Sequence, residues 1–463
     1  MTTPIPHIVI IGLGPGNPEL RTIGTQQVMD RADRIILRTR IHPGLTDLES
    51  DPRVTDCDDL YERETRFENL YLAIAHRVLD VAMAGSTVVF AVPGHPRFGE
   101  RSVPLIEDAA QAEGIPVEVL DAVSFVDVSL GMTKIDPLAA SLQITDAEHL
   151  AATLDADPFA AGRLGLDPAR PLLVGQLYNA DLAAAVKIAL TRLYPDEHLV
   201  TLIQAVGVPA EQTVRSLPLH SLDRQEVDHL TSLWVPSLDP LDAVRSPDAL
   251  TRVVAKLRAP NGCPWDREQT HASLRNPVLA EAYEVVDAID GEDDHGLVEE
   301  LGDLLLLVTM HAQIAEEGGA FRIEDIYEGV NRKLIRRHPH VFASAMAHTP
   351  EDVVKTWEGV KAAERAEKGE SKAVQNLVDR LPRAMPVIRK VVEVIAPRTT
   401  LQALDNNEAG DQLLSAIESL IERGIDPERA LEESLRRFVE KRDGNNNHLA
   451  TSGARTHQGS EQA

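Results

Sequence analysis

Near residue 240 the repeat that governs this chain changes, and no single fold accommodates both halves. Up to about residue 240, short runs of β-branched and apolar residues alternate with stretches of helical period. After Ser246-Pro247 the pattern is helical throughout, with no convincing strand, as far as about residue 442. In the first region Ile8-Val9-Ile10-Ile11 runs into Gly12-Leu13-Gly14-Pro15-Gly16, and Ser86 to Val92 runs into Pro93-Gly94-His95-Pro96. Val117 to Leu120, Leu172 to Val174 and Leu199 to Ile203 are further strand candidates, and 66–84 and 100–113 are helical. Strand, glycine turn, then helix, repeated, predicts an α/β fold with a largely parallel sheet. The chain is therefore multidomain: an α/β domain over 1–237, a linker over 238–247, and all-α helical segments beyond it.

The length of 463 residues suits two or three domains. No apolar run approaches the ~20 residues that cross a bilayer, so no membrane partner is expected. The start, MTTPIPHIVIIGLGPG, lacks the basic segment of a signal peptide. Cys57 and Cys263 are the two cysteines, which makes a reducing cytoplasm the default setting. The formal charge of −27 argues against nucleic acid as a partner, because duplex affinity comes mainly from Lys and Arg at phosphates. A small anionic ligand remains compatible, since it needs only a local basic cluster or a bound cation.

Two segments carry the chemistry of the helical half. In Leu279 to Asp290, Leu279, Tyr283, Val286 and Ile289 form one stripe, and Glu281 and Glu284 share a neighbouring face. Glu300 and Asp303 repeat that spacing in Leu297 to Gln313, and Gly291 to Gly296 reads as the turn between two packed helices. Acids three apart are common on solvated helix faces, but three features point to a site. Glu300 and Asp303 are embedded in Leu301, Leu304, Leu305, Leu306, Leu307 and Val308, which predicts a mostly buried helix in which unpartnered carboxylates are costly. No Lys or Arg occurs from Asn276 through Phe321, so a metal ion is the economical counter-charge. All four candidate ligands are oxygens, which suits Mg²⁺, or Mn²⁺, rather than Zn²⁺. A basic block follows: Arg332, Lys333, Arg336, Arg337, His338 and His340. It reads either as a solvated face or as cationic groups for triphosphate oxygens. Trp265, in the turn Gly262-Cys263-Pro264-Trp265-Asp266, is either a structural plug or a stacking surface for a base.

The run 262–266 with Gln269-Thr270, then Glu281-Ala282-Tyr283-Glu284, Glu300-Leu301-Gly302-Asp303-Leu304-Leu305 and Arg336-Arg337-His338-Pro339-His340-Val341-Phe342, closely resembles the MazG family over 248–365. The resemblance implies an all-α, typically homodimeric nucleoside triphosphate pyrophosphohydrolase. Its metal ligands would be Glu281, Glu284, Glu300 and Asp303, and its substrate-binding residues Trp265, Lys333, Arg336 and Arg337. Ala280 stands where the family's first Glu stands. The implied reaction is metal-assisted substitution at the α-phosphorus, in which Mg²⁺ neutralises the triphosphate and lowers the pKa of a bound water. One of the four carboxylates, or Asp287 one turn on, takes the proton.

Glu408-Ala409-Gly410-Asp411-Gln412-Leu413-Leu414 echoes the Glu300 motif, and Arg437 to Lys441 echoes Lys333 to Arg337. Residues 366–442 therefore read as a degenerate second helical repeat. The segment 443–463, rich in Asn, Gly, Ser and Thr, predicts a disordered tail. In the first half, Gly12, Gly14, Pro15, Gly16, Pro93, Gly94, His95, Ser124 and Tyr178 lie in motifs that resemble the tetrapyrrole methylase family, over about 6–237. That resemblance implies S-adenosylmethionine in a cleft between two α/β halves. Family members read GDP where this chain has Gly94-His95-Pro96. The combination resembles YabN-type fusions. The competing functional reading is a methyltransferase in which the helical half only dimerises or regulates.

Overall fold

A computed structural model describes residues 7–452 except 65, 153–163, 209–210, 344–346, 348, 368–380, 384 and 396–406. It forms two compact units, Met1–Ile323 and Glu324–Ala463. The expected helical domain over 248–365 is thus divided between them.

The first unit begins with β1 (His7–Gly12), α1 (Ile23–Arg31), β2 (Arg34–Leu37), β3 (Val54–Asp56), α2 (Asp58–Arg63), α3 (Phe67–Met83), β4 (Thr87–Val92), α4 (Ser102–Ala112), β5 (Val117–Val119) and α5 (Phe125–Thr133). Its five strands are all parallel, in the order β3-β2-β4-β1-β5. Buried apolar residues occupy both faces of this sheet, which is why β1 and β4 read as continuous apolar runs rather than alternating ones.

A second sheet follows, from β6 (Gln143–Asp146), α6 (Ala147–Ala152), β7 (Leu172–Gly175), α7 (Ala180–Leu190), β8 (Leu199–Gln204), β9 (Thr213–Pro218) and β10 (Thr231–Val235). Its order is β6-β7-β10-β8-β9, and only β6 and β7 are parallel. The expected largely parallel sheet is the first one; the second departs from it, because β8 to β10 are joined without the long helical crossovers that parallel pairing needs. The segment 238–247 and the start of the helix after it make contacts with the second sheet's region. The Leu238 N–H donates to Pro168 O, Ala243 is fully buried, and Arg252 pairs with Asp167 at 2.7 Å.

The helical part comprises α8 (Pro247–Arg258), α9 (Pro264–Glu268), α10 (Arg275–Asp290), α11 (Asp294–Glu317), α12 (Ile323–Arg337), α13 (Pro339–Phe342), α14 (Pro350–Glu367), α15 (Val387–Ile395), α16 (Asn407–Glu422) and α17 (Pro427–Ser452). Val254, Leu274, Leu307 and Met310 join α8, α10 and α11 in a small core. In the second unit Leu435 and Val439 of α17 pack with Leu381 and Val391. From that anchor α17 runs to Ser452, so the segment expected to be disordered is helical over its first residues. Propagation adds a hydrogen bond for each residue fixed once a helix is nucleated. Residues 453–463, and 396–406 before the echo at Glu408, lie outside the described residues.

Candidate active site

The connection Gly291–Asp293 is short, and the Asp293 carboxylate caps α11 by accepting from His295 N and Gly296 N at 3.1 and 3.0 Å. This turns α11 back against α10 and carries Glu300 to the face that bears Glu281 and Glu284. Carboxylate oxygens of these three residues lie within 4.8 Å of one another. Asp303, one turn further along α11, lies outside that trio but near enough for its charge to act on Glu281. Partial burial, with the charges of Glu284 and Asp303, pushes the Glu281 carboxyl above its usual range. Partial burial with Glu284, Glu281 and Glu299 does the same to Glu300. Among the described residues no Lys or Arg forms an ion pair with the trio. Such an all-oxygen cluster, carrying unrelieved mutual repulsion, fits a hard divalent cation.

The expected burial of these helices is not found. Leu301, Leu305 and Val308 of α11 are exposed, as are Leu279, Tyr283, Val286 and Ile289 of α10. Among the described residues, burial in α11 falls in its second half, at Leu307, Thr309, Met310, Ala312 and Ala315. Ala280 is exposed beside Glu281. Trp265, on the short α9, is 66% exposed, which removes the structural-plug reading.

In the second unit, Arg336 and Arg337 at the end of α12 are held by Glu364 of α14, at 2.5 and 2.6 Å. The guanidinium groups of Arg337 and Arg336 hold the Glu364 carboxyl down to about 2. The Arg337 guanidinium lies over the Trp357 ring, and His338 meets that ring edge-on. Lys333 is exposed on the same helix. No local sequence pattern points to Glu364 and Trp357, because they lie 19 to 28 positions from the residues they touch.

The N-terminal region holds a cavity of about 610 Å³. The loops after β1 and β4 meet there through Gly14 N–H to Gly94 O and Gly94 N–H to Gly14 O, at 3.2 and 2.9 Å. Both glycines have positive φ, +75° and +67°. A side chain at Gly12 would strike the Gly94 carbonyl, whereas one at Gly94 would meet only open space. Backbone is thus bared toward the cavity, as a closely approaching ligand requires. Gly14, Pro15, Pro93, Gly94, His95 and Tyr178 line the cavity, and Gly12, Gly16 and Ser124 do not. The Ser124 hydroxyl is engaged in the capping box of α5 with Asp127, so its position is explained by helix capping. Arg38, Glu100, Arg101, Glu148 and Asp228 also line the cavity, and none was singled out from sequence.

Residues 269–342 match the MazG nucleotide pyrophosphohydrolase domain, and residues 7–223 match the tetrapyrrole (corrin/porphyrin) methylases. The nucleoside triphosphate pyrophosphohydrolase/pyrophosphatase MazG of Thermotoga maritima is 37% identical over 217 residues, covering 42% of this chain and 83% of that protein. The chain belongs to the MazG family. The uncharacterized protein YabN of Bacillus subtilis is 36% identical over 390 residues, 84% of this chain and 76% of that one, and so shares both halves of the architecture. A nucleoside triphosphate pyrophosphohydrolase of Escherichia coli is 44% identical over 148 residues, 32% of this chain and 55% of its own length. No helix of the described MazG-type or methylase-type halves is long and apolar enough to cross a membrane.

Proposed function

We propose that this MazG-family chain hydrolyses nucleoside triphosphates to the monophosphate and pyrophosphate, using Mg²⁺ or Mn²⁺ held by Glu281, Glu284 and Glu300 with Asp303 alongside. The observation that carries the reading is the trio of carboxylate oxygens within 4.8 Å on two packed helices. The cation would screen the triphosphate and lower the pKa of a bound water. Glu281, Glu284, Glu300 and Asp303 would hold and orient it. One of them, or Asp287, takes the proton of the attacking water. In the second unit Lys333, Arg336 and Arg337 are the candidate phosphate-binding groups, where phosphate would displace Glu364 from the two arginines. Trp265 offers its exposed indole to the base. A second copy of the chain covers the exposed apolar stripe of α10 and α11, making a homodimer. The unpaired Cys57 and Cys263 support a reducing, cytoplasmic setting.

Incubation of the full chain with each nucleoside triphosphate and Mg²⁺, followed by separation of the products, tests the assignment. Monophosphate and pyrophosphate are expected. Diphosphate with inorganic phosphate would mean attack at the γ-phosphorus and would end this reading.

The N-terminal cavity supports S-adenosylmethionine as a second ligand, because the Gly14 and Gly94 loops bare backbone toward it. Calorimetry of the full chain with S-adenosylmethionine and its demethylated product is expected to show heat of binding. Silence with both at millimolar concentration would remove the cofactor.

A further inference from the structure

Two histidines meet in the helical half, apart from the carboxylate trio. His271 lies in the turn that leads into α10, His311 stands on α11, and their Nδ1 atoms are 2.8 Å apart. The ring planes are within 11° of parallel with 5.1 Å between centroids, so the two nitrogens lie between the ring centres. Nitrogens at that distance cannot both carry a proton, and at least one of them presents a lone pair. Among the described residues neither ring pairs with a carboxylate.

The backbone on both sides is held. His311 lies between Met310 and Ala312, 3% and 2% exposed, and Met310 packs with Val254, Leu274 and Leu307. Around His271, the Thr270 N–H donates to Ser273 Oγ and the Ser273 N–H to Thr270 Oγ1, at 3.0 and 3.1 Å. Arg258 donates to Gln269 O at 3.2 Å and pairs with Glu317 of α11 at 2.7 Å, which ties the same turn to that helix. The His271 side chain itself is exposed, so its ring can turn without displacing packed atoms.

Imidazole nitrogen suits Ni²⁺, Cu²⁺ and Zn²⁺, whereas Mg²⁺ takes oxygen. Two nitrogens bound at about 2.0–2.1 Å and at right angles on one ion stand about 2.9 Å apart. The 2.8 Å separation matches that arrangement, and a tetrahedral ion would need a wider one. We propose that His271 and His311 form a nitrogen-donor site for a divalent transition ion of the Ni²⁺ or Cu²⁺ type, with water in the remaining positions. The ion staples the turn before α10 to α11. His311 is eight residues beyond Asp303 on α11, about 12 Å along the helix, so this site is separate from the carboxylate trio.

Calorimetric titration of Ni²⁺ into the untagged full chain at pH 7.5, with Mg²⁺ in millimolar excess, tests it. One Ni²⁺ per chain is expected. His271→Ala and His311→Ala should each weaken binding by at least ~10-fold, the least that loss of an outer partner of a metal costs. Glu281→Gln with Glu284→Gln should bind Ni²⁺ as the parent does. No Ni²⁺ binding by the parent would overturn the proposal, as would unchanged affinity in both histidine variants or loss confined to the glutamate variant, which would put the ion on the carboxylates. Should the histidine variants not fold, the electron paramagnetic resonance spectrum of the parent with one equivalent of Cu²⁺ decides. Coupling to two equatorial nitrogens is expected, and an all-oxygen spectrum would overturn the site.

Discussion

Glu281, Glu284 and Glu300 share one small volume with no basic partner among the described residues, and their chemistry follows from that crowding. Each charge raises the cost of the next, so a proton and a divalent cation compete for the same oxygens. Glu300→Gln and Asp303→Asn each remove an oxygen charge while keeping side-chain size. Each should lower monophosphate formation by at least ~10²-fold, beyond the 10–100-fold typical of groups that only support a ligand, with the circular dichroism spectrum unchanged. Full activity in either variant would place the metal elsewhere. The pH dependence has a definite sign. Glu281 and Glu300 have folded-state pKa values raised above the ordinary 4.5. Their ionised forms therefore destabilise the metal-free fold at neutral pH, and that cost disappears as pH falls into their raised range. Mg²⁺ affinity, read by calorimetry, should weaken as pH falls through the same range.

Among elements, α10 and α11 present an exposed apolar stripe. Tyr283, Val286 and Ile289 are each about half exposed, as are Leu301 and Leu305. A contiguous apolar face of that kind marks an association surface. Val286→Asp with Leu305→Asp should halve the mass measured by light scattering, and an unchanged mass would assign the stripe no role in assembly. In the second unit, α12 and α14 are tied by Glu364 to Arg336 and Arg337. The folded carboxyl sits at about 2, below its ordinary value. Its contribution is therefore fully present above the ordinary carboxylate range and is lost as pH falls from about 4.5 to about 2. Glu364→Gln should lower the melting temperature of this unit at pH 7 by a few degrees, and the difference from the parent should vanish near pH 2.

For the molecule as a whole, metal binding is coupled to folding. The unfolded chain spreads the acids apart, so Mg²⁺ stabilises the folded form by RT ln(1 + [L]/Kd), or ~2.7 kcal/mol at a hundredfold excess over Kd. Amide hydrogen exchange should slow in α10 and α11 when EDTA is replaced by Mg²⁺, and should change little in β1 to β5. Glu281→Gln with Glu284→Gln should slow exchange in the metal-free state and abolish the response to Mg²⁺. A parent-like response in that double variant would refute the site.

The sequence by itself determined what periodicity and composition within a short window encode. The runs at Ile8 to Ile11 and Val88 to Val92 are strands entering glycine turns. The change to helix after Pro247 is real, and the acids sit on α10 and α11 in a stretch without Lys or Arg. Only the tertiary structure decided what depends on distant partners. It brought Gly14 to Gly94, gathered Glu281, Glu284 and Glu300 while leaving Asp303 outside the trio, and set Glu364 on two arginines. It also made the second sheet mostly antiparallel and left the leucine-rich start of α11 uncovered. A helical pattern states that a face is apolar, but whether that face is buried depends on the element packed against it. Paired charges 27 and 28 residues apart leave no trace in a repeat of 3.6.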